Sequence, residues 1–405
     1  MLYALHELSH QMLSPWAAMA RANRRLFSDP LSPLAYSPLA KEVAATSELF
    51  LRLSQRYEKP PFGLATTSID GKDVAITEEF VLERPFCKLL HFKRDTTRKD
   101  PTVLLVAPLS GHHATLLRDT VRAMLPEHEV YITDWVDAKF VSAQHGPWHL
   151  DDYVDYIREF IRFLGPNVHV VSVCQPTVPV LVAVSLMAAA GEAVQPRTMT
   201  MMGGPIDPRK SPTAVNNLAI QKPYSWFEQN VIHRVPVKYP GYTRRVYPGF
   251  LQHFGFVAMN PERHANAHRE YYEHLVKGDG NSAEGHRRFY DEYNAVIDMA
   301  AEYYLDTIKI VFQENRLANG TWDVRGERVR PERITKTALF TIEGELDDIS
   351  GSGQTEAAHA LCTGIPASKR EHFNVPGVGH YGIFAGRRWR EGIYPRIRSF
   401  IRKHG

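Results

Sequence analysis

Cysteine is scarce in this chain. Cys87, Cys174 and Cys362 are the only three in 405 residues, too few and too far apart for a disulfide framework. An excess of charge of one sign is missing as well. The 48 basic residues face 45 acidic ones, a net charge of +3, and no dense basic run stands out, so no nucleic-acid partner is expected. Long apolar runs are absent too. Nothing approaches the ~18 residues that a membrane span requires. The opening residues lack a basic start, and His6, Glu7 and His10 break their apolar run, so no export signal is expected. No G-x-G-x-x-G or G-x-x-x-x-G-K-[ST] pattern joins a strand to a helix, so no bound cofactor is implied. Internal repeats and low-complexity tracts are also lacking.

What is present is the composition of a globular protein, 44% apolar and 23% charged, with enough material for a sizeable core. After Pro101, β-branched runs alternate with helical periodicity. Strands are predicted near 102–107, 129–133, 168–173, 197–202, 337–342 and 371–375. Helices are predicted near 113–125, 149–164, 176–191, 354–361 and 383–403. This alternation implies a mostly parallel sheet flanked by helices, with right-handed crossovers. Two or three antiparallel edge strands are expected between Gly71 and Arg94.

Residues 1–65 read as a helical extension. Leu5, Leu8, Met12, Trp16 and Met19 share one face of its first helix, and a second helix runs from Lys41 to about Gln55. That face can pack on the rest of the chain or on a second subunit, or it can meet an apolar surface. Residues 208–333 break the rhythm and read as an inserted cap, rich in aromatics such as Tyr224, Trp226, Phe227 and Phe250. These rings suit either a greasy ligand or the cap's own core. The catalytic domain is then 66–207 plus 334–405.

The chemistry begins at Val168–Thr177. An apolar run ends at Cys174, and a helical apolar segment follows at once. The arrangement parallels the G-x-S-x-G elbow, with Ser172 and Pro176 in the glycine slots. A cysteine at a strand end can equally be a buried core residue. Two later segments favour the nucleophile. A strand ends in Glu343-Gly-Glu-Leu-Asp347-Asp348, and a last strand leads into Pro376-Gly-Val-Gly-His380. Nucleophile, acid and histidine thus follow in the order of an α/β-hydrolase. Asp347 is preferred to its neighbour Asp348, which is expected to cap the next helix. His372 reads as a strand histidine. The oxyanion donors expected are the N–H of Gln175 and that of Ser110, with Leu109 as the alternative. His112 and His113 are adjacent and lack a third ligand, so no metal is expected.

Ser172-Val-Cys-Gln-Pro-Thr-Val-Pro179, Glu343-Gly-Glu-Leu-Asp-Asp-Ile-Ser-Gly351 and Pro376-Gly-Val-Gly-His-Tyr-Gly382 together resemble the intracellular polyhydroxybutyrate depolymerases of bacteria. The resemblance implies an α/β-hydrolase fold with a triad of Cys174, Asp347 and His380. It implies hydrolysis of poly(3-hydroxybutyrate) in amorphous storage granules, in the cytoplasm, through a thioester on Cys174. The partner implied is the polymer or the granule surface. Water or coenzyme A can take the acyl group, and a homo-oligomer is compatible. Polyester synthases share the triad but keep G-x-C-x-G, so the loss of both glycines favours the depolymerase. The competing readings are a synthase or coenzyme A-dependent acyltransferase, and a granule protein without catalysis.

Overall fold

The β-branched runs pair into one nine-stranded sheet. In the computed structural model, which describes residues 2–405, its strands are β1 (Thr66–Ile69), β2 (Lys72–Arg84), β3 (Cys87–Arg94), β4 (Thr102–Val106), β5 (Glu129–Trp135), β6 (His169–Val173), β7 (Thr198–Met202), β8 (Ala338–Gly344) and β9 (Arg370–Val375). Their spatial order is β1-β2-β3-β5-β4-β6-β7-β8-β9. The first three strands form an antiparallel edge that joins β5 through β3. From β5 to β9 every neighbouring pair is parallel. The topology is that of an α/β-hydrolase, a mostly parallel sheet flanked by helices.

Strands β6, β7 and β8 are buried along their whole length, which is why they read as unbroken apolar or β-branched runs rather than alternating ones. Helix α1 (Leu2–Ser28) and helix α2 (Ala40–Ser54) pack together ahead of the sheet. Helix α3 (Arg118–Met124) connects β4 to β5, and α4 (Leu150–Leu164) connects β5 to β6. The amphipathic α4 buries Tyr153, Val154, Ile157, Phe160 and Ile161. Helix α5 (Thr177–Ala189) follows β6 and is buried on every side from Thr177 to Met187, as a helix apolar all round must be.

The strand order creates a switch point. From β4 the chain steps to β5 on one side, then returns to β6 on the other side of β4. A crevice opens where two neighbouring strands send their connections opposite ways. The register Val106 to Ser172 puts the ends of β4 and β6 side by side there.

Three predicted helices need correction. The helix expected at 354–361 shrinks to Ala358–Leu361. The Glu343 carboxylate accepts hydrogen bonds from the N–H groups of Gly353, Thr355 and Glu356 and bends the preceding segment into turns. The helix expected at 383–403 is broken. A turn at His380–Ile383 is followed by Gly386–Arg388, a π-helical turn at Trp389–Ile393, and a regular helix only at Tyr394–His404. Pro395 cannot donate to a preceding carbonyl, so the helix cannot run through it undisturbed. The helix expected at 113–125 opens as a 3-10 turn, Ala114–Leu117, before α3.

Between β7 and β8 the chain leaves the strand–helix alternation. It forms helices at Ala214–Gln221, Tyr224–Asn230, Gly249–Met259, Pro261–Lys277, Gly280–Tyr293 and Ala301–Asp306. Phe227 buries itself with Ala219, Leu305 and Ile308 in a small separate core. Val246, Ile297 and Tyr303 join the main core instead. No helix among the described residues is long and apolar enough to cross a membrane.

Candidate active site

Cys174 is the first residue beyond β6, and its φ is +68°. A non-glycine residue in that region stores roughly 1–3 kcal/mol of strain. The surrounding backbone holds it there. Cys174 N–H donates to Met202 O at 2.7 Å, and Cys174 O accepts from Thr177 N–H at 3.1 Å. Pro176 then heads α5, where its missing N–H costs nothing. Ser172 is fully buried. The close approach is completed by Gly203 and Gly204, just past β7. A Cβ on Gly204 would lie 2.5 Å from Cys174 O and 1.8 Å from Thr177 Oγ1. Sequence reasoning overlooked this pair, although a double glycine at the end of a buried strand is a signal of close backbone approach.

Asp347 and His380 meet beside the elbow. His380 Nδ1 lies 2.7 Å from Asp347 Oδ2, and their side chains are 5% and 0% exposed. The other carboxylate oxygen accepts from Ile349 N–H at 2.9 Å and Ser350 N–H at 2.8 Å. The acid is therefore fixed from both ends. Gly203 lies against the pair, since a Cβ there would sit 3.2 Å from Asp347 Oδ2 and 3.3 Å from His380 Cε1. Burial alone would pull the His380 basicity down. The Cys174 sulfur and the Asp347 carboxylate outweigh it and hold the imidazole protonated well above its ordinary value of 6.5. Asp348 is exposed and caps no helix, because the first N–H groups ahead of Ala358–Leu361 go to Glu343. His372 stays in β9, where Nδ1 lies 2.8 Å from Thr341 Oγ1.

The β4 loop flanks the elbow across the switch point. Among the described residues, the N–H groups of Gln175, Leu109 and Ser110 have no protein acceptor. Leu109 is buried, and its carbonyl accepts from Tyr303 Oη at 3.1 Å. Trp135 Nε1 donates to Ala107 O at 2.8 Å, and Gly111 O accepts from Ile297 N–H at 2.7 Å. The loop is thus pinned from the sheet and from the segment between β7 and β8. Tyr303 could not be found from sequence, because nothing local marks a tyrosine that braces a loop nearly two hundred positions away. Burial, and after it the Cys174 charge, keeps its hydroxyl protonated.

His112 is buried, its Nε2 lies 3.2 Å from Tyr293 O, and its ring stacks on Phe256. His113 points elsewhere, into a cavity of about 1220 Å3 between α1, α2 and the Gly249–Met259 helix. Neither Cys174 nor His380 lines that cavity. Glu343, Glu356 and His372 come near one another, but the three backbone donors on Glu343 already occupy its carboxylate.

A family model described as "PHB de-polymerase C-terminus" matches residues 203–405. No curated protein matches the sequence. Among solved structures, the chain is similar to a 2-hydroxy-6-oxo-6-phenylhexa-2,4-dienoate hydrolase from Rhodococcus sp. strain RHA1, at 12% identity over 81% of this chain and 99% of that one, with a TM-score of 0.45. It is similar to a hydrolase from Pseudomonas aeruginosa PA01, at 11% identity over 80% of this chain and 98% of that one, with a TM-score of 0.43. A bacterial membrane phospholipase A matches at 13% identity over 97% of each chain, with a TM-score of 0.44.

Proposed function

Because the chain belongs to the PHB de-polymerase C-terminus family, we propose that it hydrolyses the backbone esters of poly(3-hydroxybutyrate) in storage granules, with Cys174 as nucleophile. The chain is an ester hydrolase. The observation that carries the cysteine reading is the convergence at the Gly203–Gly204 pair. A strained Cys174 lies against Gly204, and a buried, protonated His380 held by Asp347 lies against its neighbour Gly203.

The chemistry runs in two halves. Cys174 Sγ attacks the ester carbonyl carbon, and the carbonyl oxygen takes up the negative charge. The Gln175 and Ser110 N–H groups, both without other acceptors, donate to that oxygen. The C–O bond then breaks, and His380 passes its proton to the leaving 3-hydroxyl. A hydroxyacyl thioester remains on Cys174. Next, water attacks the thioester while His380 takes its proton. The S–C bond breaks, and a free carboxylic acid leaves. Asp347 keeps the imidazole in the tautomer that presents Nε2 to these steps. The segment 208–333 acts as a cap over the strand ends, and its Tyr303 steadies the oxyanion loop.

Protein-free amorphous granules provide the test. Wild-type protein should release 3-hydroxybutyrate or short oligomers, and a thiol-alkylating reagent should stop it. Undiminished release from a Cys174→Ala variant would overturn the mechanism.

A further inference from the structure

Helix α1 is apolar on the side that faces away from the protein. It packs inward through Tyr3, Glu7 and Ala20, all buried. Tyr3 Oη donates to Asp298 Oδ2 at 2.8 Å, and the Glu7 carboxylate binds Arg56 and Lys238. The opposite face carries Leu5, Leu8, Met12, Trp16, Met19 and Leu26, which range from 47% exposed at Leu26 to 67% at Met12. Spacings of three, four and seven residues keep these side chains in one straight line. From Leu5 to Leu26 that line is about 32 Å long. In the turn that follows the helix, Leu31, Leu34 and Tyr36 are exposed as well.

The charges around this ridge decide what it fits. A second copy would pair through flanking positions of opposite charge, but Ser9, Gln11, Ala18 and Asn23 stand at those positions, Arg25 has no acidic counterpart among them, and Pro15 interrupts the seam. An anionic lipid surface would call for lysines and arginines along the rim. The helix has no lysine, its arginines are Arg21, Arg24 and Arg25 near the far end, and Arg24 is paired with Glu48 at 2.6 Å. From Leu5 to Met19 the ridge has no charged rim, which matches an uncharged apolar solid. We propose that the outward face of α1 docks the enzyme on the surface of its solid aliphatic polyester, an inference that rests on the substrate reading given above. A polymer particle is too large to be enclosed, so the enzyme must hold on to it from outside while the strand-end site works on single chains.

The test replaces Leu8→Glu, Met12→Glu and Trp16→Glu together in the full chain. Binding is measured by sedimentation with protein-free granules in a Cys174→Ala background, so that hydrolysis does not erode the surface. The triple variant should bind at least tenfold more weakly, and Leu8→Ile, Met12→Leu, Trp16→Phe should bind like the parent. With Cys174 intact, the triple variant should keep kcat/KM on a soluble 3-hydroxybutyrate oligoester within twofold, which shows that the fold survives. Unchanged sedimentation of the triple variant would overturn the inference. So would tighter binding to phosphatidylglycerol vesicles than to granules, or a wild-type dimer that the triple variant splits while granule binding persists. Acid release is read separately. Wild-type protein that sediments with granules and releases no acid overturns the hydrolytic reading, not the docking face.

Discussion

In the reaction we propose, His380 carries the proton on which both halves turn. It stays protonated well above 6.5 because two acidic partners outweigh its burial. A histidine whose folded value is raised stabilises the protein fully below the unfolded value, and that contribution is lost as the pH climbs through the raised one. The stability gap between wild type and Asp347→Asn should therefore be widest near pH 6 and narrow at alkaline pH, as urea unfolding at a series of pH values will show. NMR of the imidazole should find it protonated at pH 7.5 in wild type and closer to neutral in Cys174→Ala. Asp347→Asn should lower kcat by roughly 10³-fold, because the amide cannot hold the productive tautomer. Asp348→Asn should stay within twofold, since its side chain faces solvent. A steady-state ester assay on the two variants separates the two acids. In the sequence they are adjacent and chemically identical. The backbone turn after β8 buries one and exposes the other, and no local pattern encodes which.

The elbow is a property of three elements, β6, α5 and the end of β7. Its residues Ser172 and Pro176 are legible as local chemistry, because a small side chain and a helix-starting proline have local causes. Gly203 and Gly204 are not, since their need for a missing Cβ comes from a neighbouring strand. Gly204→Ala should destabilise the protein or displace Cys174, because the carbonyl it meets is backbone and has little room to move. Thermal melts combined with thiol-alkylation rates will detect either outcome. Helix α5 is a simpler case. Leu181 is fully buried. Leu181→Ala should cost about 2–5 kcal/mol in chemical denaturation, the range for an aliphatic core truncation, with m unchanged. Helix periodicity located α4 and α5 well. It failed at 354–361 and 383–403, where a buried carboxylate and a proline, rather than apolar spacing, set the path of the chain.

At the scale of the molecule, the sequence by itself determined the alternation of strands and helices, the order of sulfur, carboxylate and imidazole, and the apolar stripe of the first helix. Periodicity and chain order are written residue by residue, so they survive without coordinates. Only the tertiary structure decided which strands are neighbours, and hence that the loop after β4 faces the turn after β6 across a switch point. It alone brought Tyr303 against Leu109, separated the two aspartates, and turned the α1 stripe outward. The physical reason is shared by all of these. Each depends on burial against residues distant in the chain, and amphipathic spacing specifies that a face is apolar but not what will cover it.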